Sequence, residues 1–365
     1  MRIAVLAHLK FPIAQPFAGG LERHTHLLTR LLKERGHAVT LFAATGSDRA
    51  LMPIEVCPPT GEAFGDAIRH AAIEKAEFAA YAAMMESIAD GGFDIVHNNS
   101  LHNLPLRLSG SIATPMLTVL HTPPFESLAD GARSAHGTSY VAVSRALLNP
   151  WRPLISGADV VGNGIDLAAF PFRADPGLDA PLFWSGRIVP EKGLHLAIDA
   201  ARSAGLPLAF AGPRPNEAYW NHEIAPRLGS DTIDRGHLGE TALAAQIGSA
   251  RVVLVTPCWE EPFGLVVAEA LACGTPVAGF RRGALPDLLD LTCGRLAPPD
   301  DVEGLAAAIM EAAPLDRAAC RARAEALFDA NAMVSRYEQL YRSRIGVRAD
   351  RDLRSAPVRV GAAGS

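Results

Sequence analysis

Two kinds of apolar pattern alternate along the chain. Short, nearly continuous hydrophobic runs at 2–7 (RIAVLA), 38–43 (AVTLFA), 93–97, 116–121 and 140–143 are too short for core helices. They read as strands of a parallel sheet covered on both faces. Between them, apolar residues recur at helical spacing over 21–35 and 66–89, the first stretch ending at Gly36 and the second at Gly91-Gly92. A strand with a glycine-bearing turn (DVVGNGID) closes this half at 159–166, and 170–181, rich in Pro, Gly and Asp, reads as a linker. The alternation then resumes. Strands are predicted over 182–185, 208–211, 232–235, 251–256 and 276–280, with helices over 191–204, 216–228, 240–250 and from about 263 to Gly274. Three more helices, over 302–313, 315–328 and 332–344, complete the pattern.

Strand and helix in regular alternation predict an α/β protein of two doubly wound parallel-sheet domains, 1–170 and 171–331, with function in the cleft between them. The segment 347–365 has little to bury and is expected to be disordered. Composition narrows the function. At 365 residues with 49% hydrophobic and 20% charged positions, each domain can build an ordinary globular core. A formal charge of -5 argues against a nucleic-acid partner. The five cysteines are odd in number and lack a CxxC, which fits a reducing compartment, so a cytoplasmic protein is expected. The N-terminal run reads as a strand rather than a signal peptide, and no run of about 18 apolar residues is present to span a bilayer. Contact with a membrane surface stays open.

The stretch 258–280 (CWEEPFGLVVAEALACGTPVAGF) concentrates the chemistry. A strand runs into a loop with Glu260 and Glu261, and Pro262 then suits the opening of a helix near Phe263-Gly264. The free N–H groups of Gly264, Leu265 and Val266, backed by the helix dipole, form a donor cluster for a phosphate. Glu269 lies four residues after Leu265, on the same face, and leans toward the helix N-terminus. Anion donors flanked by Glu261 and Glu269 suit a polyhydroxylated phosphate ester. A solvated Glu on an ordinary surface helix is the plainer reading of such a spacing, and the EPFG strand–helix junction weighs against it.

Other junctions repeat the theme. Arg187 leaves a strand end and Lys192 opens the next helix, a fork and a point charge that together suit a diphosphate. Gly19-Gly20 precede the first helix of the first half, whose amides can meet an anion; Glu22 there can equally be a simple complement to the dipole. His121 ends a strand before Thr122-Pro123-Pro124 and points to the cleft, whereas His24, His26, His97 and His102 are read as structural. No histidine spacing supports a metal site, and the DxD at 350–352 sits in the tail, so neither a metal nor another cofactor is expected.

Taken together, GGLE at 19–22, His121, VAVS at 141–144, GNGID at 162–166, SGRIVPEKG at 185–193, Gly212, GHLGE at 236–240 and EPFGLVVAEALACGTPVAG from Glu261 resemble the retaining GT-B glycosyltransferases of family 4. The resemblance implies two Rossmann-like domains facing a central cleft, with nucleotide-sugar held mainly by the second domain and acceptor by the first. It implies that the helix over 332–344 crosses back to the first domain. By the same resemblance, Arg187 and Lys192 neutralise the donor diphosphate with the amides at 264–266, and Glu269 accepts both ribose hydroxyls. Glu261 and His121 contact the transferred sugar, and Leu238 meets the base through its backbone. Thr122 stands where the family often has Asp, and Asp287 where Glu is usual.

The reaction so implied is metal-independent transfer, with retention, of a hexose-type sugar from a nucleoside diphosphate donor to an acceptor hydroxyl. UDP is the first choice of nucleotide, with GDP open, and the acceptor is not named by the sequence. An epimerase of the same fold needs residues for elimination and readdition, and a phosphorylase a pyridoxal lysine; neither signal is seen. An inactive nucleotide-sugar-binding protein is argued against by the presence of Arg187, Lys192, Glu261 and Glu269.

Overall fold

The computed structural model describes the backbone of residues 1–355 and the side chains of residues 1–346. The first half contains β1 (Arg2–Leu6), β2 (Ala38–Ala43), β3 (Ile54–Glu55), β4 (Ile95–Asn98), β5 (Met116–Leu120), β6 (Thr138–Ala142) and β7 (Ala158–Val160). The second contains β8 (Leu182–Ser185), β9 (Leu208–Ala211), β10 (Thr232–Asp234), β11 (Val253–Val255), β12 (Val277–Phe280) and β13 (Gly294–Ala297). They form two separate sheets, ordered β3-β2-β1-β4-β5-β6-β7 and β10-β9-β8-β11-β12-β13. Every ladder is parallel. Parallel strands need crossover helices, and these cover both faces. Hence Ile3, Ala4, Val5 and Leu6, four consecutive residues of β1, all have no exposed surface.

In each sheet the strand order reverses beside its first strand, between β1 and β4 and between β8 and β11. Loops leaving the two strands at such a point diverge to opposite faces and open a crevice at the carboxyl ends. That places His8 and Asn99 at one crevice, and Gly186, Arg187 and the 256–264 loop at the other.

Some elements differ from expectation. The helix predicted near 216–228 is present as a continuous helical run whose hydrogen-bond pattern changes, Glu217–Tyr219, Trp220–Ile224 and Ala225–Arg227, and Pro226, with no N–H to donate, lies in its last turn. Strands β3 and β13 were not foreseen, being a two-residue edge and a segment interrupted by Arg295. The final helix runs Ala330–Ser355 and so extends into the segment expected to be disordered. Residues 347–355 contain no Pro or Gly, and most are sound helix formers. The remainder of that segment, 356–365, lies outside the described residues.

The chain crosses between domains twice, side by side. Ile165 donates its N–H to Phe328 O at 2.8 Å, and Ala330 donates to Ile165 O at 3.1 Å. The final helix then lies on the first domain. Glu338 accepts from His37 Nε2 at 2.7 Å and Arg344 Nη2 donates to Asp159 Oδ2 at 2.9 Å. Tyr341, fully buried, bonds His97 Nδ1 at 2.7 Å.

Candidate active site

The 256–264 loop delivers the chain into the helix Leu265–Ala272 through Gly264, which takes φ 93° and ψ 64°. That left-handed conformation is open to glycine at no steric cost, and the sharp entry brings the helix N-terminus to the cleft. The first N–H groups of a helix have no partner inside it. Here those of Leu265 and Val266 border a cavity of about 500 Å³ between the domains.

Two cations meet this N-terminus. Arg187 follows β8, and its Nη1 donates to Glu62 Oε1 of the first domain at 2.6 Å. Lys192, on the single turn Pro190–Lys192, donates from Nζ to Glu261 Oε2 at 2.6 Å and sits 5.3 Å from the Trp259 ring centroid. Trp259 Nε1 donates to the same carboxylate oxygen at 3.0 Å. The Glu261 backbone is held in turn, because Ala284 N donates to its carbonyl at 2.9 Å.

The larger cavity is lined by His121, Arg187, Lys192 and Glu261, by Gly19 and Gly20, and by Phe263, Gly264, Leu265 and Val266. A second cavity of about 110 Å³ shares Gly19, Gly20, Arg187, Leu265 and Val266 with it and adds Gly212, Leu238 and Glu269. All site residues predicted from the sequence therefore border one or the other of these two adjoining cavities. Glu269, 3% exposed, pairs with Arg23 of the first domain. Burial raises its pKa, and Arg23 only partly offsets this. Gly212 has no room for a side chain, since a Cβ there would lie 1.7 Å from Gly186 O.

On the first-domain side, His121 Nε2 bonds Asn99 Oδ1 at 2.9 Å. Burial, then repulsion from His24, His97 and His8, holds its pKa well below the usual histidine value, so it is neutral near pH 7. His8 Nε2 bonds Glu22 Oε1 at 2.7 Å, both side chains being buried. Burial alone would raise the Glu22 pKa, but His8, the backbone and Arg187 together outweigh it and leave the carboxyl below its ordinary value.

Sequence reasoning missed Glu62, Arg23, His8, Asn99, Asn163 and Trp259. Glu62 sits in a loop (CPPTGEAFGD) with no periodicity, and only folding brings it to Arg187. Arg23 could have been found, standing three residues after Gly20 on the helix Gly20–Glu34. Glu62 Oε2, Asn163 Oδ1 and Ser185 Oγ are buried with no hydrogen-bond partner among the described residues, and all three side chains border the larger cavity. Orphaned polar atoms in a cleft are what a hydroxyl-rich, charged ligand satisfies. Among the described residues no group of three or more His, Cys, Asp or Glu gathers to hold a metal ion, and no helix is long and apolar enough to cross a membrane.

Two parallel-sheet domains opposed across a cleft at their switch points define the GT-B class. A family model described as glycosyltransferase family 4 matches residues 18–169, and one described as glycosyl transferases group 1 matches residues 180–313. The phosphatidyl-myo-inositol mannosyltransferase of Mycolicibacterium smegmatis is 26% identical over 344 residues, covering 85% of this chain and 84% of the relative. Among solved structures, sucrose-phosphate synthase of Thermosynechococcus elongatus superposes with a TM-score of 0.76 at 21% identity, over 95% of this chain and 99% of that one. Anabaena HepE in complex with UDP-glucose gives 0.73 at 18% identity, over 94% and 100%. The chain belongs to the group 1 glycosyltransferases of family 4. It is a glycosyltransferase of the GT-B fold.

Proposed function

We propose that the protein transfers a hexose from a nucleoside diphosphate sugar to a hydroxyl of a polyol acceptor, with retention of configuration and without a bound metal. The observation that carries this reading is the meeting of Arg187, Lys192 and the N-terminus of the helix Leu265–Ala272 in one cleft, with Glu269 on that same helix. A diphosphate leaving group needs positive charge where its negative charge develops, and these three supply it, the diphosphate competing with Glu62 for Arg187 and with Glu261 for Lys192. A carboxylate one turn along the helix suits a pair of vicinal ribose hydroxyls. Leu238, in the smaller chamber, is assigned to the base.

UDP is the nucleotide we assign, since UDP-glucose is bound by HepE, which shares the fold. The mycobacterial relative's name joins a mannosyl donor to an inositol lipid, and a cyclic polyol is accordingly the acceptor class we favour. In the reaction, the bond from the anomeric carbon to the diphosphate oxygen breaks while Glu261 and His121 hold the sugar. The acceptor oxygen bonds to the same face of that carbon, and its proton passes to a departing phosphate oxygen. Glu261 orients the sugar and forms no covalent bond to it.

The test is acceptor-dependent release of nucleoside diphosphate from UDP- and GDP-sugars, with myo-inositol and its phosphate esters as acceptors and with chelator present. Release from a UDP-sugar, and a product anomer matching the donor's, is expected. No release with any pairing counts against transfer, and an inverted product against retention. Glu269→Ala should weaken UDP binding by tenfold or more, and unchanged affinity removes the ribose assignment.

A further inference from the structure

A chain of buried hydrogen bonds links the final helix to His121. Tyr341 bonds His97 Nδ1 at 2.7 Å, and His97 Nε2 bonds Asn99 Oδ1 at 3.0 Å. The same Asn99 oxygen meets His121 Nε2 at 2.9 Å. Asn99 Nδ2 donates to Thr25 Oγ1 of the helix Gly20–Glu34 at 3.1 Å. Tyr341, His97, Asn99 and Thr25 have no exposed surface.

The polarity of this chain follows from donor counting. With its nitrogen on Thr25, Asn99 presents its oxygen to both imidazoles, so each must carry its hydrogen on Nε2. Both rings are neutral near pH 7: burial, with His24 nearby, takes the His97 pKa to about 3, and His121 also lies well below the usual value. A neutral His97 protonated on Nε2 has a bare Nδ1, which accepts from the Tyr341 hydroxyl. Reversing every bond is the alternative. It would make Tyr341 an acceptor and leave its hydroxyl hydrogen without a partner in a fully buried site. Orphaned buried donors are rarer than orphaned acceptors, so the Tyr341 hydroxyl selects the first polarity.

We propose that Tyr341, His97 and Asn99 are positioning residues that fix His121 as the Nε2–H tautomer and present its bare Nδ1 to the cleft as a hydrogen-bond acceptor. This rests on the reading of His121 as a sugar contact, and it adds which atom makes the contact and what holds it. His121 borders the larger cavity, and its Nδ1 has no hydrogen-bond partner among the described residues. A bare nitrogen accepts from a sugar hydroxyl, whereas the other tautomer would confront that hydroxyl with a donor. Because Tyr341 rides on the helix that returns from the second domain, the acceptor nitrogen is correctly set only when that helix is docked. The neighbouring His24, whose ring centroid is 5.0 Å from that of His121, has both nitrogens buried without hydrogen-bond partners among the described residues and takes no part in this chain of bonds.

The experiment is a long-range proton–nitrogen correlation spectrum of the full chain, with His24, His97 and His121 assigned by substitution. It needs no substrate, so it succeeds or fails independently of whether any sugar is transferred. The wild-type protein should show His97 and His121 as Nε2–H tautomers; His121 protonated on Nδ1, or on both nitrogens, at pH 7 overturns the proposal. In Tyr341→Phe, His121 should become a mixture of tautomers, and hydrolysis of UDP-sugar should slow about tenfold with donor KM unchanged, as one misdirected hydrogen bond in the transition state predicts. A slower reaction with His121 still wholly Nε2–H would make Tyr341 a packing residue and sink its part. Should Tyr341→Phe fail to fold, Thr25→Val decides the matter. It removes the acceptor that orients Asn99 and should likewise mix the His121 tautomers, and a pure Nε2–H spectrum there overturns the relay.

Discussion

Arg187 of the second domain donates to Glu62 of the first at 2.6 Å, across the cleft. A carboxylate thus holds the cation that we assign to the donor diphosphate, and an incoming anion has to compete with it. Glu62→Gln removes the competing charge while keeping an acceptor. Both side chains are only partly buried, so solvent screens the pair. UDP affinity measured by calorimetry should rise three- to tenfold, roughly, and its salt dependence should steepen. Arg187→Ala should lower affinity by tenfold or more. Weaker UDP binding in Glu62→Gln would instead mean that Glu62 itself contacts the nucleotide.

Glu22 gives the pH prediction. Its folded pKa lies below the ordinary value of 4.5, since the partnership with His8 and the backbone outweighs burial. A lowered carboxyl stabilises the fold above its unfolded pKa, and that contribution is lost as pH falls through the folded value. Glu22→Gln should therefore destabilise the protein by about 1–3 kcal/mol at pH 7. The gap to wild type should close progressively below pH 4.5 in melts run at stepped pH. A gap that stays constant down to pH 3 assigns the loss to packing.

Gly212→Ala tests the close approach of two loops. The added carbon would fall 1.7 Å from Gly186 O, so the loops after β8 and β9 must separate. Arg187, next to Gly186, moves with them. UDP affinity should fall more than tenfold while circular dichroism stays that of the folded protein. Unchanged affinity would show that Arg187 does not depend on this contact.

Arg317 should matter for stability alone. Buried, and without a carboxylate partner among the described residues, it donates to Arg173 O at 2.7 Å, Gly248 O at 2.9 Å, Ala250 O at 3.1 Å and Thr275 Oγ1 at 2.7 Å. Arg317→Met leaves several buried acceptors unpaired and should cost about 3 kcal/mol or more. Denaturant titration should record the loss, with UDP affinity of the folded fraction unchanged.

Local rules carried much of the reading. The central strands of both sheets stood out as apolar runs, because a parallel strand buried on both faces has no polar alternation to blur it. Gly264 and Pro262 marked the helix entry for reasons internal to the backbone, and Glu269 followed from helical spacing. What escaped depended on contacts across the cleft. Glu62 lies 125 residues from Arg187 and Arg23 lies 246 from Glu269, and no local pattern foretells either pairing. His97 was read as structural, and it is buried as such a residue would be. Its link through Asn99 to His121 appears only when β4 and β5 lie side by side. The two-residue β3 escaped for another reason, being shorter than any period that could reveal it.

Because Ile165 is hydrogen-bonded to both Phe328 and Ala330, the outgoing and returning crossings share one fulcrum. Two separate linkers would let the domains twist, slide and splay independently. A doubled one stiffens against torsion and leaves bending as the soft coordinate, as in hinge closure. A lever with one pivot keeps its jaws in register however often it opens. Any motion about that pivot would bring Arg187 back to Glu62 and Arg23 back to Glu269.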